Sequence, residues 1–306
     1  MLGERRQIIS TSFETQPFIA MATAIKSVAD EVPPGQTVFF RSLFAMPVIL
    51  VWLAYSGHLR DGLITKNPLG HVWRGLVGTI AMGCMFAALG LLPLPEVTAI
   101  GYASPLLVVI FAAMFLGEQV RFFRISAVVL GMVGVLIIIG PRLSVIGSDQ
   151  LNALQTLGVV MTLAGATFAA LAQIFVRKLI TTESTPAIVF YFSLTATLLS
   201  LVTVPFGWVM PNLNHALLLV MAGLAGGVGQ ILLTNSYRHA DASVIAPFEY
   251  SSMLLAIFIG MFLFDEVPTP TVLAGAFIVV LAGLLIIWRE RQLGIARSKA
   301  RSSMTP

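Results

Sequence analysis

Two stretches of the chain, 148 residues apart, decide its fold. Residues 102–118 read YASPLLVVIFAAMFLGE, and residues 250–266 read YSSMLLAIFIGMFLFDE. They share a tyrosine at the start, a glutamate at the end, and a serine and two leucines between them. Each stretch lies inside a long apolar run. The chain therefore looks like one apolar helical unit that occurs twice.

Composition places the whole chain in a membrane. Hydrophobic residues make up 57% of the 306 residues and charged residues only 10%, and the mean hydropathy is +0.92. A water-soluble fold of this length cannot cover so much apolar surface with so few charges. We therefore predict an all-α integral membrane protein.

The apolar runs predict ten transmembrane helices, since a span needs about 20 mainly apolar residues. The first run contains Glu14, Gln16 and Lys26, so both a span and a helix lying at the membrane surface remain open for it. The predicted segments are 8–28, 37–56, 75–93, 97–116, 125–140, 155–176, 186–206, 216–236, 243–264 and 271–288.

The basic residues predict the orientation of these segments. If all ten cross and the N-terminus is cytoplasmic, 15 of the 18 Lys and Arg residues lie inside and only Arg142 lies outside, with Lys26 and Arg41 in helices. This asymmetry follows the positive-inside rule. The inside set comprises Arg5, Arg6, Arg60, Lys66, Arg74, Arg121, Arg124, Arg177, Lys178, Arg238, Arg289, Arg291, Arg297, Lys299 and Arg301.

Ten segments divide into two repeats of five. We predict a first repeat over 1–143, a second over 144–291 and a basic cytoplasmic tail over 292–306. Because each repeat has an odd number of spans, the second enters the membrane from the opposite face. Such inverted repeats allow a bundle to open alternately to the two sides of a membrane.

The ends of both repeats resemble EamA-type transporters of the drug/metabolite transporter superfamily. This resemblance covers nearly the whole chain and implies a ten-helix bundle whose third, fourth, eighth and ninth helices surround a cavity for small polar metabolites. It also implies a multi-pass protein of a bacterial inner membrane. The residues that carry it are Ala103-Ser104-Pro105-Leu106, Phe115-Leu116-Gly117-Glu118, Gly131-x-x-Gly134, Ala242-Ser243, Ile245-Ala246-Pro247, Glu249-Tyr250, Asp265-Glu266-x-Pro268, Gly275 and Gly283.

Two shorter matches point to part of that superfamily. The sequence at 246–250, APFEY, and the sequence at 38–41, VFFR, are similar to carriers of riboflavin and S-adenosylmethionine. The resemblance therefore implies a riboflavin-like, S-adenosylmethionine-like or amino-acid-derived solute.

Glu249 is the first candidate for contact with a solute. A charge at the centre of a membrane helix costs roughly 2.5 to 3.5 kcal/mol, so it persists where it is paired or faces water. Pro247 removes a backbone donor two residues earlier and can open the helix locally. A ligand for substrate or proton and a structural carboxylate paired with Arg238 remain open.

Neutral polar residues extend this candidate path. Tyr102 and Ser104 are the repeat equivalents of Tyr250 and Ser252, and Glu249 shares a helix side with Ser252. These groups either line the cavity or make hydrogen bonds between helices. The same two possibilities apply to the remaining polar residues in apolar segments, which are Gln173, Gln230, Thr234 and Asn235.

Three charged residues near the first two segments are possible charge partners, namely Glu14, Lys26 and Arg41. Lys26 and Arg41 flank an outer loop and either bind an anionic group or extend toward the outer surface. Glu118 and Glu266, at the ends of the repeated stretches, are expected to accept N–H groups at the start of a following helix.

Glycines in two segments predict close helix packing. Gly223 and Gly227 form a GxxxG pattern, and Gly83 with Ala87 forms a similar small-residue pair. Small residues at this spacing let two helix backbones approach.

No sequence motif indicates catalysis, a cofactor or a metal site. The chain has no P-loop, nucleophile elbow or HExxH motif, and its one cysteine and four histidines are scattered. No secretory signal is predicted before the first segment, and no basic stretch is interleaved with aromatic residues in the way that nucleic-acid binding requires.

We predict a non-enzymatic secondary carrier whose partners are a metabolite and membrane lipid, with protons as a candidate coupling ion. A membrane enzyme acting on lipid-like substrates and a non-transporting assembly partner are the alternatives.

Overall fold

The apolar runs form eleven α-helices in the part of the chain that the computed structural model describes. That part is residues 15–55, 57, 62–117, 122–143, 150–239 and 242–302. Side chains at 15, 143, 150–152, 237, 239, 242–251, 287, 290–291 and 293–302 are outside the description. The helices are α1 Thr15–Lys26, α2 Pro34–Tyr55, α3 Pro68–Leu89, α4 Leu94–Gly101, α5 Ala103–Leu116, α6 Phe122–Leu143, α7 Gln150–Leu179, α8 Thr185–Ser200, α9 Leu213–His239, α10 Ala242–Leu263 and α11 Pro270–Ser302.

Seven helical segments are long and apolar enough to cross a membrane. Shorter apolar stretches lie at Ser252–Leu263 and Pro270–Ile286, and the described residues contain no β-strand. The all-helical prediction is therefore confirmed. The seven segments are Pro34–Tyr55, Pro68–Leu89, Leu94–Leu116, Phe122–Arg142, Ala153–Leu179, Thr185–Thr203 and Leu213–Ser236.

One of these segments is broken at Tyr102, where α4 ends and α5 begins. Pro105 stands three residues later and has no backbone N–H to donate to the carbonyl of Gly101, and its ring crowds that carbonyl. The break leaves the Tyr102 side chain in the interior of the bundle, where only 7% of it is exposed.

The helix α3 begins earlier than the sequence predicted. Asn67 caps it by accepting the Gly70 backbone N–H at 2.9 Å, and Pro68 occupies its first turn. The predicted start at residue 75 was therefore wrong. Arg74, which was assigned to a loop, lies in the second turn of α3 and is buried.

The first helix lies inside the bundle. Ile19 and Ile25 of α1 belong to the main hydrophobic core, and α1 packs against α9 and α10. Helix α1 has 12 described residues and is not among the seven segments above, so the crossing of the first segment stays a prediction.

Glycines bring α9 close to α2. A Cβ atom at Gly223 would lie 2.4 Å from the Cβ of Phe44, and one at Gly227 would lie 3.1 Å from the Cα of Ala45. The GxxxG prediction is confirmed. The prediction for Gly83 is wrong, because a Cβ atom there would have no neighbour within 4 Å.

Contacts between the connecting segments define two ends of the bundle. At one, which we call the Lys26 end, the last residue of α1 meets the α3–α4 and α10–α11 connections. At the other, which we call the Glu183 end, the α2–α3 and α7–α8 connections meet.

Candidate functional site

A cavity of about 400 Å³ lies in the middle of the bundle, between the Lys26 end and the Glu183 end. Its walls are mainly methionine, phenylalanine and aliphatic side chains from α1, α3, α4, α7, α8 and α9. A smaller set of polar side chains faces it, namely Arg41, Arg74, Thr98, Tyr102, Ser104, Gln173, Gln230, Thr234 and Ser252. Ligand sites commonly combine such an apolar wall with a few polar groups.

The structure brings six of the predicted path and charge residues to this cavity. They are Arg41, Tyr102, Ser104, Gln173, Gln230 and Ser252. Asn235 is exposed on α9 and is not part of the cavity lining. Glu249 and Tyr250 belong to the α10 backbone, but their side chains lie outside the described residues, as does Glu14.

Tyr102 and Ser252 join the two halves of the chain across the cavity wall. The Tyr102 hydroxyl and Ser252 Oγ are 2.7 Å apart, a hydrogen bond in which either oxygen can donate. Helix α4 ends at Gly101, so Tyr102 stands at the break and can reach α10. Ser104 is also buried, and its Oγ has no hydrogen-bond partner among the described residues.

Arg41 is the most deeply buried charge at the site. Its side chain is 1% exposed, so the expectation that it extends to the outer surface is wrong. Its Nη2 donates to the Gly226 carbonyl at 3.2 Å, and its Nε lies 3.5 Å from the Met21 sulfur. In the described part of the chain, Nη1 has no hydrogen-bond partner. The guanidinium therefore keeps donor capacity beside the cavity.

Arg74 is the cavity residue that sequence reasoning missed. Its guanidinium carbon lies 4.1 Å from the centre of the Phe192 ring, and that of Arg41 lies 5.7 Å from the same ring. Both contacts have cation–π geometry. The signal that would have placed Arg74 in a helix was Asn67-Pro68, a typical helix start that precedes it by two turns.

A cluster of contacts closes the Lys26 end. Glu266 Oε1 lies 2.8 Å from Lys26 Nζ, and Glu266 Oε2 accepts the Leu94 backbone N–H at 2.7 Å. Lys26 also donates to the carbonyls of Leu89 and Leu92, at 3.1 and 2.9 Å. Glu266 thus has the predicted type of role, but it caps α4 of the first half and not the helix that follows it.

A second carboxylate at the Lys26 end also escaped prediction. Glu96 is buried in the first turn of α4. Its Oε1 lies 2.8 Å from Arg142 Nη2, and Arg142 also donates to Gln155. Arg142 was predicted in an outer loop, but it lies in the last turn of α6. Its contacts with Glu96 and Gln155 connect α6 to α4 and α7.

The Glu183 end is held by another buried carboxylate. Glu183 Oε1 accepts the backbone N–H groups of Lys66 and Asn67 at 2.8 and 2.7 Å, and Oε2 lies 3.5 Å from His71 Nε2. Burial alone would raise the pKa of Glu183. The hydrogen bonds from the Lys66 and Asn67 N–H groups, together with the nearby His71 side chain, outweigh this effect, and the pKa of Glu183 is lowered.

The arrangement suits binding better than bond chemistry. Among the described residues no group of three or more His, Cys, Asp or Glu side chains is placed to hold a metal ion. The polar groups of the cavity are hydroxyls, amides and guanidinium groups, which donate and accept hydrogen bonds. Such a site can hold a small amphipathic molecule.

Comparison with known proteins bears on what this cavity holds. The profile of the EamA-like transporter family matches residues 18–140 and again residues 156–288. A relative named S-adenosylmethionine uptake transporter, from Rickettsia bellii, is 28% identical over 257 residues, 84% of each chain. The pseudopaline exporter CntI of Pseudomonas aeruginosa is 29% identical over 271 residues, 87% of this chain and 90% of its own.

A solved structure supports the fold. A crystal structure of a protein with 20% sequence identity superposes with a TM-score of 0.69, over 94% of this chain and 99% of the other. At this identity the likeness concerns the helical arrangement alone.

Proposed function

The chain belongs to the EamA-like transporter family of the drug/metabolite transporter superfamily and is a multi-pass membrane transporter, and from this premise we propose how it works. It is a secondary-active carrier that moves a small polar or amphipathic metabolite by alternating access. Because no P-loop occurs in the sequence, the drive is an ion gradient or the gradient of the solute itself. Protons are the candidate coupling ion.

The observation that carries this proposal is the central cavity. Its volume of about 400 Å³ lies within the range of small-molecule sites. Its polar residues come from both halves of an otherwise apolar bundle, as Tyr102 and Ser252 do. Buried polar groups in membrane helices typically mark a substrate path.

Helix contacts support the proposal of two inverted five-segment repeats, 1–143 and 144–291. Counting α4 and α5 as one segment gives ten. The third segment of the first half, α3, packs against α7 and α8, which are the first two of the second half. In return α9 packs against α1 and α2. Such reciprocal packing, in which the third segment of each half contacts the first two segments of the other, is expected of repeats related by a twofold axis in the membrane plane.

Two contacts between a glutamate and a histidine show the same reciprocal arrangement of the two halves. At the Glu183 end, Glu183 of the α7–α8 connection approaches His71 at the start of α3. At the Lys26 end, Glu31 of the α1–α2 connection lies 3.3 Å from His215 at the start of α9. In each case a glutamate between the first two segments of one half meets a histidine opening the third segment of the other.

The proposed orientation places the Glu183 end, both termini and the 292–306 tail in the cytoplasm. It rests on the distribution of Lys and Arg. The Lys26 end then faces the outside of a bacterial inner membrane. In this orientation the contacts of Lys26 and Glu266 close the cavity on the outer side.

The relatives suggest the class of solute. Those compared above are named for S-adenosylmethionine uptake and for pseudopaline export. For this chain we propose a metabolite of that kind, S-adenosylmethionine-like or derived from an amino acid, with a riboflavin-like solute as a further candidate. Glu249, Tyr250 and Tyr102 are proposed to contact it along its path, with Ser104, Ser252, Gln173 and Gln230 as further candidates.

The proposal is tested by comparing metabolites inside cells and in the medium. Strains express the wild type, Glu249→Gln or an empty vector, and the amount of each protein in the membrane is matched. A solute that redistributes with the wild type and not with Glu249→Gln supports both the carrier and the role of Glu249. Redistribution by both keeps the carrier and makes Glu249 structural. If neither protein moves any solute, the carrier proposal fails.

A further inference from the structure

Arg41 is a buried cation whose charge is not matched by a carboxylate in the described part of the chain. It lies two turns into α2, and its side chain is 1% exposed. No aspartate or glutamate described in the structure lies within ion-pair distance of it. A charge buried this deeply is costly unless something compensates for it.

The contacts that Arg41 does make leave it with spare donors. A guanidinium has five N–H groups. Nη2 donates to the Gly226 carbonyl, the nearest group to Nε is the weakly accepting Met21 sulfur, and Nη1 has no hydrogen-bond partner among the described residues. Nη1 is itself buried, but Arg41 lines the cavity, so an acceptor group of a molecule bound there would use the donor capacity that these contacts leave.

Arg74 adds a second positive charge to the same part of the cavity. The guanidinium groups of Arg41 and Arg74 both lie over the ring of Phe192, at 5.7 and 4.1 Å from its centre. One comes from α2 and the other from α3, and both side chains face the cavity. Two cations on one ring repel each other, and an anion beside them would lower that repulsion.

We propose that Arg41, assisted by Arg74, binds the carboxylate of the transported solute in this cavity. This inference rests on the proposed carrier function and names the chemical class of the solute. A guanidinium fork matches the two oxygens of a carboxylate. A doubly charged phosphate needs more donors than this mainly apolar cavity offers.

The rest of the cavity indicates the other part of the solute. Elsewhere the cavity walls are formed by apolar, flexible side chains such as Met21, Met82, Met85 and Phe86, with neutral hydrogen-bonding groups at Tyr102 and Gln230. Methionine side chains adapt to irregular apolar shapes. The solute is therefore a carboxylate-bearing molecule with an apolar or weakly polar body.

The position of Gly226 shows how closely Arg41 is held. A Cβ atom at Gly226 would lie 2.6 Å from Arg41 Nε and 2.9 Å from the Met21 sulfur. The substitution Gly226→Ala therefore displaces the guanidinium without changing the charge of the cavity. We expect it to raise the KM for the solute while the protein remains in the membrane.

The experiment extends the metabolite comparison to strains expressing wild type, Arg41→Gln, Arg41→Lys and Arg289→Gln. Arg289 is exposed on α11 outside the cavity lining and serves as the matched loss of an arginine. We expect the wild type to redistribute a solute with a carboxylate, and Arg41→Gln to reduce its flux roughly ten- to hundredfold. Arg41→Lys should retain flux with a raised KM, and Arg289→Gln should match the wild type.

A second measurement needs no variant. It tests recognition of the carboxylate even if Arg41→Gln fails to reach the membrane. Flux of the identified solute by the wild type is competed with that solute unlabelled and with its carboxamide, which lacks the anion. Competition by the acid and not by the amide supports the inference. Four results would overturn the carboxylate inference and leave the proposed carrier function in place. They are equal competition by acid and amide, a transported solute that has no carboxylate, a phosphate ester as the only transported solute, and unchanged flux in Arg41→Gln. If the wild type moves nothing, the carrier function fails and this inference fails with it.

Discussion

At the scale of single residues, the polar groups inside this bundle differ in whether they have a hydrogen-bond partner. Tyr102 is bonded to Ser252, whereas the buried hydroxyl of Ser104 has no hydrogen-bond partner in the described part of the chain. The two serines are repeat equivalents in the sequence. Residues at equivalent positions of the two predicted repeats therefore have different surroundings in this structure, as the proposed alternating access would require.

The Tyr102–Ser252 bond should appear as a coupling in stability. We expect Tyr102→Phe and Ser252→Ala to interact in a double-mutant cycle by about 0.6 kcal/mol, the usual size for such bonds in membrane bundles. The measurement is thermal or denaturant unfolding of purified protein. Ser104→Ala is the matched control and should change stability little. Fully additive single effects would show that the bond contributes nothing.

Glu183 predicts a pH dependence of stability. Its folded pKa lies below the ordinary value near 4.5, so its contribution is complete above that value and is lost as the pH falls through the lower folded pKa. Glu183→Gln should therefore be less stable than the wild type at neutral pH, by about 1–3 kcal/mol. This difference should shrink on acidification below pH 4.5.

The control for Glu183 is the equivalent position at the other end. Glu31 approaches His215, but its side chain is 68% exposed, so solvent screens the pair. Unfolding curves of Glu31→Gln should nearly match those of the wild type across the same pH range. A Glu183→Gln deficit that persists unchanged at low pH would contradict the linkage argument.

At the scale of helices, α9 depends on its glycine face for contact with α2. Backbone oxygens of Phe40 and Arg41 lie 3.2 Å from the place of a Cβ atom at Gly223. These atoms belong to a helix backbone and cannot move alone. The same face brings Gly226 against Arg41, so the packing of α9 also sets the position of a cavity residue.

Adding one methyl group to this face should destabilise the bundle. We expect Gly223→Ala to lower the free energy of unfolding by about 1–3 kcal/mol, the usual cost of overpacking. Gly83→Ala is the control, since a Cβ atom there meets nothing within 4 Å and alanine favours helix. Unfolding of both purified variants gives the comparison. Equal stability of the two would show that α9 shifts away from α2 without cost.

At the scale of the whole molecule, polar clusters tie the halves together at both ends. Glu266 and Lys26 join the α10–α11 connection to α1 and α4, and Glu183 joins the α7–α8 connection to the α2–α3 connection. The cluster at the Lys26 end adjoins the cavity, since Leu89 and Leu94 belong both to its contacts and to the cavity lining. In the proposed alternating-access cycle, one of these clusters would open in each half of the cycle, and their strength would set the balance between the two states.

Weakening the Lys26 cluster should therefore open that end. We expect Lys26→Gln and Glu266→Gln to speed labelling of a cysteine placed at Thr98, a cavity residue one turn from Leu94, by a membrane-impermeant maleimide. The background is Cys84→Ser, which removes the one native cysteine. Glu31→Gln, at the same end, is the control. It should be labelled at the same rate as the parent protein that carries Cys84→Ser and Thr98→Cys alone. Labelling that does not change in either variant would contradict a closing role for Lys26 and Glu266.

The sequence by itself determined the class of the molecule. Apolar runs long enough to cross a membrane, the repeated Tyr102–Glu118 stretch and the family resemblance all follow from composition and order along the chain, and the family was confirmed. The GxxxG of α9 was also readable, because close packing depends on local spacing. Several cavity residues, such as Tyr102 and Gln230, could be named because a polar residue in an apolar run is conspicuous.

Only the tertiary structure decided which of these residues meet. Arg41 and Arg74 are 33 positions apart in the chain, yet Phe192 of α8 brings both guanidinium groups to one ring. Glu266 caps α4 and not its own next helix, and Asn235 is on α9 outside the cavity lining. Helical periodicity states which residues share a face, but the partner of that face depends on how helices distant in sequence pack. That packing minimises unpaired polar groups and empty space over the whole bundle at once.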